Sequence, residues 1–182
     1  MTAIRRALPA DLKFVRDSWR DSHRMSHTAG PIPMNRYREV YDDAIGQLLT
    51  RPDVVALVAH EQGEAPPYDL LGFICVEHNV QAPVRVREQQ RVGDRFVGYR
   101  WVDRFEPLPQ PLVHYVYVKQ DFREHGLARA LFKAAGVDPA RPWVHTYSTA
   151  IVSKIRHAQN WAGVFDPRLA RFPKNEPMEA TE

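Results

Sequence analysis

Cysteine is almost missing from this chain of 182 residues: Cys75 stands alone. No internal disulfide can staple the fold, so its stability must come from a packed core. Long apolar runs are missing as well. No stretch approaches the roughly 20 apolar residues that span a bilayer, and the opening MTAIRRALPADLK has no signal-peptide core. Charge of one sign is scarce. Lys+Arg 25 against Asp+Glu 22 leaves a formal +3, a tilt toward anionic ligands too small by itself to argue for nucleic acid. Internal repeats are absent. These absences point to the cytoplasm and exclude disulfide scaffolds, membrane spans and solenoids. What remains is ordinary globular composition, 44% hydrophobic and 26% charged, at a length that suits one domain.

What the chain does have is concentrated in LVHYVYVKQDFREHGLARALFKAAG, Leu112–Gly136. Leu112–Val118 is rich in Val and Tyr, a strand composition. Lys119–His125 is short and polar. From Leu127 the apolar residues recur as Leu127, Ala130, Leu131 and Ala134, one face of a helix, and Gly136 sits where a C-cap is expected. The first N–H groups of a helix have no intrahelical partner and carry the positive end of its dipole. A loop that gathers such amides makes an anion site suited to phosphate. Gly126 has no Cβ, so a ligand can approach the backbone closely. Ala128 adds little bulk, and Lys119, Arg123 and Arg129 bring full positive charge. An ordinary basic strand-to-helix turn is the alternative that these residues leave open.

Around this centre the chain reads in order. Ala3–Ala7 is a short strand, and Pro9-Ala10-Asp11 starts a helix with Asp11 as cap and Leu12, Val15 and Trp19 on one face. His23–Pro33 reads as a loop. Asn35 caps the next helix, where Tyr37, Val40, Tyr41, Ala44, Ile45, Leu48 and Leu49 keep helical spacing until Pro52. Val54–Ala59 is a strand buried on both faces, and Glu61–Asp69 turns it into its hairpin partner Leu70–Val76. An insert, about 78–111, precedes the central strand. After the central helix come a loop at Asp138–Pro142, a strand at Trp143–Thr146, a last helix capped by Ser148 with Ile151, Val152 and Ile155 inward, and a strand at Trp161–Phe165. Residues 1–172 form one domain, and 173–182 is a polar tail expected to be disordered. The fold class is α/β: a mixed, mostly antiparallel central sheet flanked by helices.

Arg123, Gly126 and Ala128 after a strand match Arg/Gln-x-x-Gly-x-Gly/Ala, and the stretch thereby resembles the acetyl-coenzyme A motif of the GCN5-related N-acetyltransferases. The order β-α-α-β-β-insert-β-α-β-α-β, the opening Ile4-Arg5-Arg6-Ala7-x-x-x-Asp11 and the pair Gly72-Phe73 also resemble that family, over about the whole chain. The resemblance implies acetyl-coenzyme A as co-substrate without a metal, and an amine as acceptor. It places loop residues Arg123, Glu124, His125, Gly126, Leu127, Ala128 and Arg129 at the pyrophosphate. It places the backbone of Val116, Tyr117 and Val118 along the pantetheine arm. The chain also departs from the family. Glu124 and His125 stand where Gly and Lys are common, and little chain is left after Pro167 for a closing hairpin. The family's Asn-x-x-Ala-x-x-x-Tyr, aligned on Ala150, puts Tyr147 at the Asn position and Lys154 at the Tyr position; a slip of a few residues brings His157 there.

An amine must be neutral to attack a thioester, so the site needs a proton acceptor. His114 is the first candidate: by alternation it shares the face of Val116, it aligns with an acidic residue of the family, and histidine titrates near neutrality. Glu77 and His78, at a strand end, come next. Tyr147 and Ser148 are candidates to protonate the departing thiolate, against the plainer jobs of core packing and capping. In the insert, Val84–Gln90 and Arg95–Trp101 flank a Val92-Gly93-Asp94 turn, which reads as a basic hairpin exposing Tyr99 and Trp101. Such a hairpin serves as a docking surface for a nucleic-acid or protein acceptor, as a homodimer arm, as a lid, or simply as a solvated surface. A non-catalytic module that binds coenzyme A, or only a partner, is the rival from outside enzymology.

Overall fold

The computed structural model describes residues 1–25, 33–63, 69–147, 161–166 and 169. Their elements are β1 (Thr2–Arg6), α1 (Leu12–Arg24), α2 (Met34–Leu49), β2 (Val54–Glu61), β3 (Leu70–Glu77), β4 (Gln81–Val92), β5 (Arg95–Pro107), β6 (Leu112–Val118), α3 (Leu127–Ala134), β7 (Trp143–His145) and β8 (Gly163–Phe165). The main sheet runs β1-β2-β3-β6-β7-β8. Pairing is antiparallel as far as β6 and parallel from β6 through β7 to β8. β4 and β5 pair only with each other, in a second sheet.

Period-two alternation divides the apolar residues of β3 between two layers. Phe73 and Cys75 pack with Val15, Trp19, Tyr37, Tyr41 and Ile45 of α1 and α2. Ile74 and Val76 pack with Leu127, Leu131 and Phe132 of α3. Covered on both faces, β3 is buried at every residue. Gly72 lets β3 lie close to β6, since a Cβ there would meet the Tyr117 carbonyl oxygen at 2.5 Å.

Several local expectations change. Asp11 sits at the start of α1 without capping it through its side chain. Its buried carboxylate accepts instead from the Leu8 amide at 2.7 Å and pairs with Arg5, tying β1 to the turn. α1 continues to Arg24, so His23 is helical, and it is buried against Tyr37 and Tyr41. α2 starts at Met34 after Pro33, which leaves Asn35 inside the helix. The hairpin in the insert is longer than its alternation suggested and spans Gln81 to Pro107. The last helix, Ser148, Lys154, His157 and the tail lie outside the described residues. Among those described, no helix is long and apolar enough to cross a membrane.

Candidate functional site

β6 and β7 touch at one register position, Val113↔His145. The Thr146 amide donates to the Val113 carbonyl at 3.2 Å, next to that pairing. Beyond it, no strand among the described residues lies beside Val116–Val118 on the β7 side. The resulting cleft is lined by Val113, His114, Tyr115, Val116, Trp143, His145 and Tyr147. β6 then runs straight into the basic loop.

That loop turns on left-handed backbone. Gly126 precedes α3 in the left-handed region at φ 76°, where glycine is the least strained residue. A Cβ built on it meets nothing within 4 Å, so the space over its backbone is open. Glu124 is also left-handed, at φ 70°, which explains in physical terms why a glycine suits that position. The Arg123 side chain folds back, its Nε donating to the Val118 carbonyl at 3.1 Å. His125, Gly126 and Arg129 are exposed, and Leu127 is buried. Lys119 extends over the Phe14 ring at 5.4 Å.

At the other end of β6 the structure brings His114 and Glu77 together. Register passes from Cys75↔Tyr115 to Val76↔Val113, so His114 is the extra residue of a bulge. The bulge overturns the simple alternation. Val116 packs toward α3, whereas His114 turns to Glu77, which alternates with Cys75 on the α1/α2 side. The ring Nε2 lies 2.8 Å from Glu77 Oε2, and both residues are 1% exposed. Glu77 is therefore no solvated strand end. Its Oε1 accepts from Arg51 Nη2 at 2.8 Å, and Arg51 also grips Asp53 at 2.6 and 3.1 Å. That pairing, chiefly the hydrogen bond from Arg51, holds the Asp53 carboxyl down at about 2. A carboxylate accepting at both oxygens puts the proton of a neutral imidazole on Nε2 and leaves Nδ1 as acceptor. Nδ1 lies 3.3 Å from the Thr146 hydroxyl.

Tyr147 lies beside this array but deep in rings, 4.8 Å from His23 and 6.0 Å from both Trp19 and Tyr115. Burial pushes its hydroxyl far above the usual tyrosine range, making it a weak acid. His78 is half-buried; its amide donates to the Asp53 carbonyl at 2.8 Å. Arg51, Asp53 and Thr146 escaped the sequence reading. The only signal was a polar Arg-Pro-Asp between a helix and a strand, and nothing in it shows that the turn lies under the end of β3. No cluster of metal-ligating side chains occurs among the described residues.

No family model matches the chain, and no curated protein matches it. Solved structures do. A Clostridium acetobutylicum protein assigned to the acetyltransferases, solved with acetyl-coenzyme A, is 10% identical over 88% of this chain and 90% of its own, with a TM-score of 0.49. A Pyrococcus furiosus protein assigned to the acetyl transferases is 14% identical over 88% and 91%, also at 0.49. The aminoglycoside N-acetyltransferase AAC(6')-Iy, solved with coenzyme A, is 15% identical over 88% of each chain, at 0.46. The deciding observation is internal: strand, two helices, an antiparallel hairpin, an inserted arm, a central strand running through a loop into a helix, and a parallel strand that parts from it. Over the described residues this is the element order that the resemblance to the GCN5-related N-acetyltransferase fold implied. In that fold the parting strands are β6 and β7, the loop is 119–126, and the Glu77–His114 pair borders the cleft between them.

Proposed function

We propose that the chain is an N-acyltransferase that moves an acetyl group from acetyl-coenzyme A to an amine within a ternary complex. The observation that carries this reading is the continuity of the open β6 edge with the loop around Gly126. One strand offers backbone that no neighbouring strand covers to a pantetheine arm, and the next residues offer helix-terminal amides to a pyrophosphate. The amine nitrogen bonds to the thioester carbon, the C–S bond breaks, and the amine proton passes to a base. His114 is that base, oriented by Glu77, which Arg51 anchors in turn. The thiolate takes its proton from a donor at the cleft, which both Tyr115 and Tyr147 line, each made a weaker acid by burial. Soluble operation in the cytoplasm fits a reaction on these substrates. A second reading, coenzyme binding without turnover, keeps the loop and discards the base.

Calorimetric titration with coenzyme A tests the site. Gly126→Asn keeps a residue that tolerates the left-handed region, and it should bind with only a modest loss. Gly126→Asp adds negative charge at the same place and should abolish binding; equal binding by the two variants removes the pyrophosphate from this loop. His114→Gln should keep coenzyme affinity while lowering turnover about a hundredfold, the usual scale for a lost general base. Unchanged turnover across pH 6–9 would leave His114 a structural residue, with the proton path elsewhere.

A further inference from the structure

The arm formed by β4 and β5 has two faces of opposite character. Register pairs Arg85↔Asp103, Arg87↔Trp101 and Gln89↔Tyr99 share one face, and Val84↔Arg104, Val86↔Val102 and Glu88↔Arg100 share the other. On the second face charge is closed within the protein: Glu88 holds Arg100 at 3.3 Å and also Arg104. The first face is different. The Arg87 guanidinium lies 3.9 Å over the Tyr99 ring and that of Arg85 lies 5.8 Å over Trp101. Neither they nor Arg91 makes an ion pair among the described residues. Tyr99 is 49% exposed and Trp101 60%. Phe96 packs edge-on to Tyr99 at 5.1 Å and extends the aromatic strip toward the tip.

We propose that this face binds single-stranded nucleic acid. Exposed rings offer stacking platforms to unpaired bases, and interleaved guanidinium groups, already held over neighbouring rings, meet the phosphates. Charge complementarity selects this occupant over a second copy of the chain. Face-to-face pairing of two arms would bring together two faces on which Arg85, Arg87 and Arg91 outnumber Asp103, a net like-charge juxtaposition that disfavours association. A duplex satisfies the arginines but buries its base faces in its own stack, leaving Tyr99 and Trp101 without partners. An acidic protein surface likewise supplies charge without a run of planar faces. The binding is independent of the acetyl-transfer reading.

Fluorescence anisotropy with labelled oligo(dT) of about 20 nucleotides, more than one site length for such surfaces, tests it on the full chain. Tyr99→Ala with Trp101→Ala should weaken binding about tenfold or more. Tyr99→Phe with Trp101→Phe, which keeps a ring at each place, should restore most of it. Arg85→Ala with Arg87→Ala should flatten the dependence of log affinity on log salt by about 1.4, two phosphate contacts' worth. Arg100→Ala with Arg104→Ala, on the closed face, should change affinity no more than about twofold, since those guanidinium groups are already engaged by Glu88. Failure of the native chain to bind at about 50 mM salt, where such contacts are strong, overturns the proposal. So does equal loss on the two faces, a Phe pair as weak as the Ala pair, or equal or tighter binding to a duplex or to a poly-glutamate peptide.

Discussion

β3–β6 and β4–β5 are both antiparallel pairs, and each holds a glutamate against arginine, yet their chemistry diverges. Glu77 lies in a strand buried at every position, and its carboxylate touches Arg51 and His114. Glu88 lies in a solvent-washed ribbon and bridges two arginines that are each 59% exposed. The strand pairing is alike, so the difference comes from water. In the interior each polar group must be matched because an unmatched one loses its hydration. On the arm charge is cheap, so the informative feature is the reverse: guanidinium groups left without a carboxylate.

Removing each carboxylate gives the sharpest contrast. Glu77→Ala strips His114 and Arg51 of a buried partner at once and should destabilise by about 3–5 kcal/mol, the scale for breaking a buried pair from one side. Glu88→Ala should leave the urea midpoint where it was. Urea unfolding of both variants beside the native chain measures this, and comparable midpoints for the two would erase the distinction between the regions.

Acid provides the next contrast. Burial lowers His23 from 6.5 to about 4, and its Nδ1 lies 2.7 Å from the Tyr37 hydroxyl. Above pH 6.5 the ring is neutral whether the chain is folded or not, and its contribution is fully present. Between 6.5 and 4 the unfolded chain takes up a proton that the folded chain refuses, so stability falls with pH, by about 3 kcal/mol over the window. His23→Gln should remove that slope. A slope unchanged by the substitution assigns the titration to another group.

Two glycines repeat the comparison at the scale of one methyl group. A Cβ at Gly72 meets the Tyr117 carbonyl oxygen at 2.5 Å, so Gly72→Ala should cost about 1–3 kcal/mol through overpacking between β3 and β6. Gly46, in α2 with nothing within 4 Å of its Cβ, should gain about 0.5–1 kcal/mol as Ala from helix propensity. Thermal unfolding of both variants checks the opposite signs.

These effects divide along the same line as what the sequence disclosed. The span of β6 and the start of α3 were legible to the residue, because Val and Tyr alternation and the Leu127–Leu131 spacing are local signals. The helical His23 was hidden by the turn-like residues that follow it. His114 and Glu77 were each visible as candidates, but their contact depends on a bulge that spans β6 and β3, and one extra residue reverses a face. Arg51 and Thr146 joined the site only through packing between elements far apart in the chain. The turn before α3 was readable because it rests on backbone geometry, which Gly126 announces. The arm's alternation was readable too, but not which arginines Glu88 would neutralise.

A comparably small effect is expected at Glu124, where surface and strain meet. Its φ of 70° places a branched-free but Cβ-bearing residue in the left-handed region, at a cost of roughly 1–2 kcal/mol. Glycine at this position removes that strain but adds backbone entropy to the unfolded chain, worth roughly 0.5–1 kcal/mol. Glu124→Gly should therefore stabilise by only about 0.5–1 kcal/mol, a small rise in melting temperature. The coenzyme gives a second, separable reading. Glu124 is exposed, and its carboxylate stands one residue from Arg123 and two from Gly126, so its removal should tighten coenzyme A binding by a few-fold at low salt and less at high salt. Glu124→Ala keeps the strained Cβ while deleting the charge, and it should show the affinity gain without the stability gain. Should Glu124→Ala and Glu124→Gly stabilise the chain alike, the charge was the burden and the left-handed backbone was not.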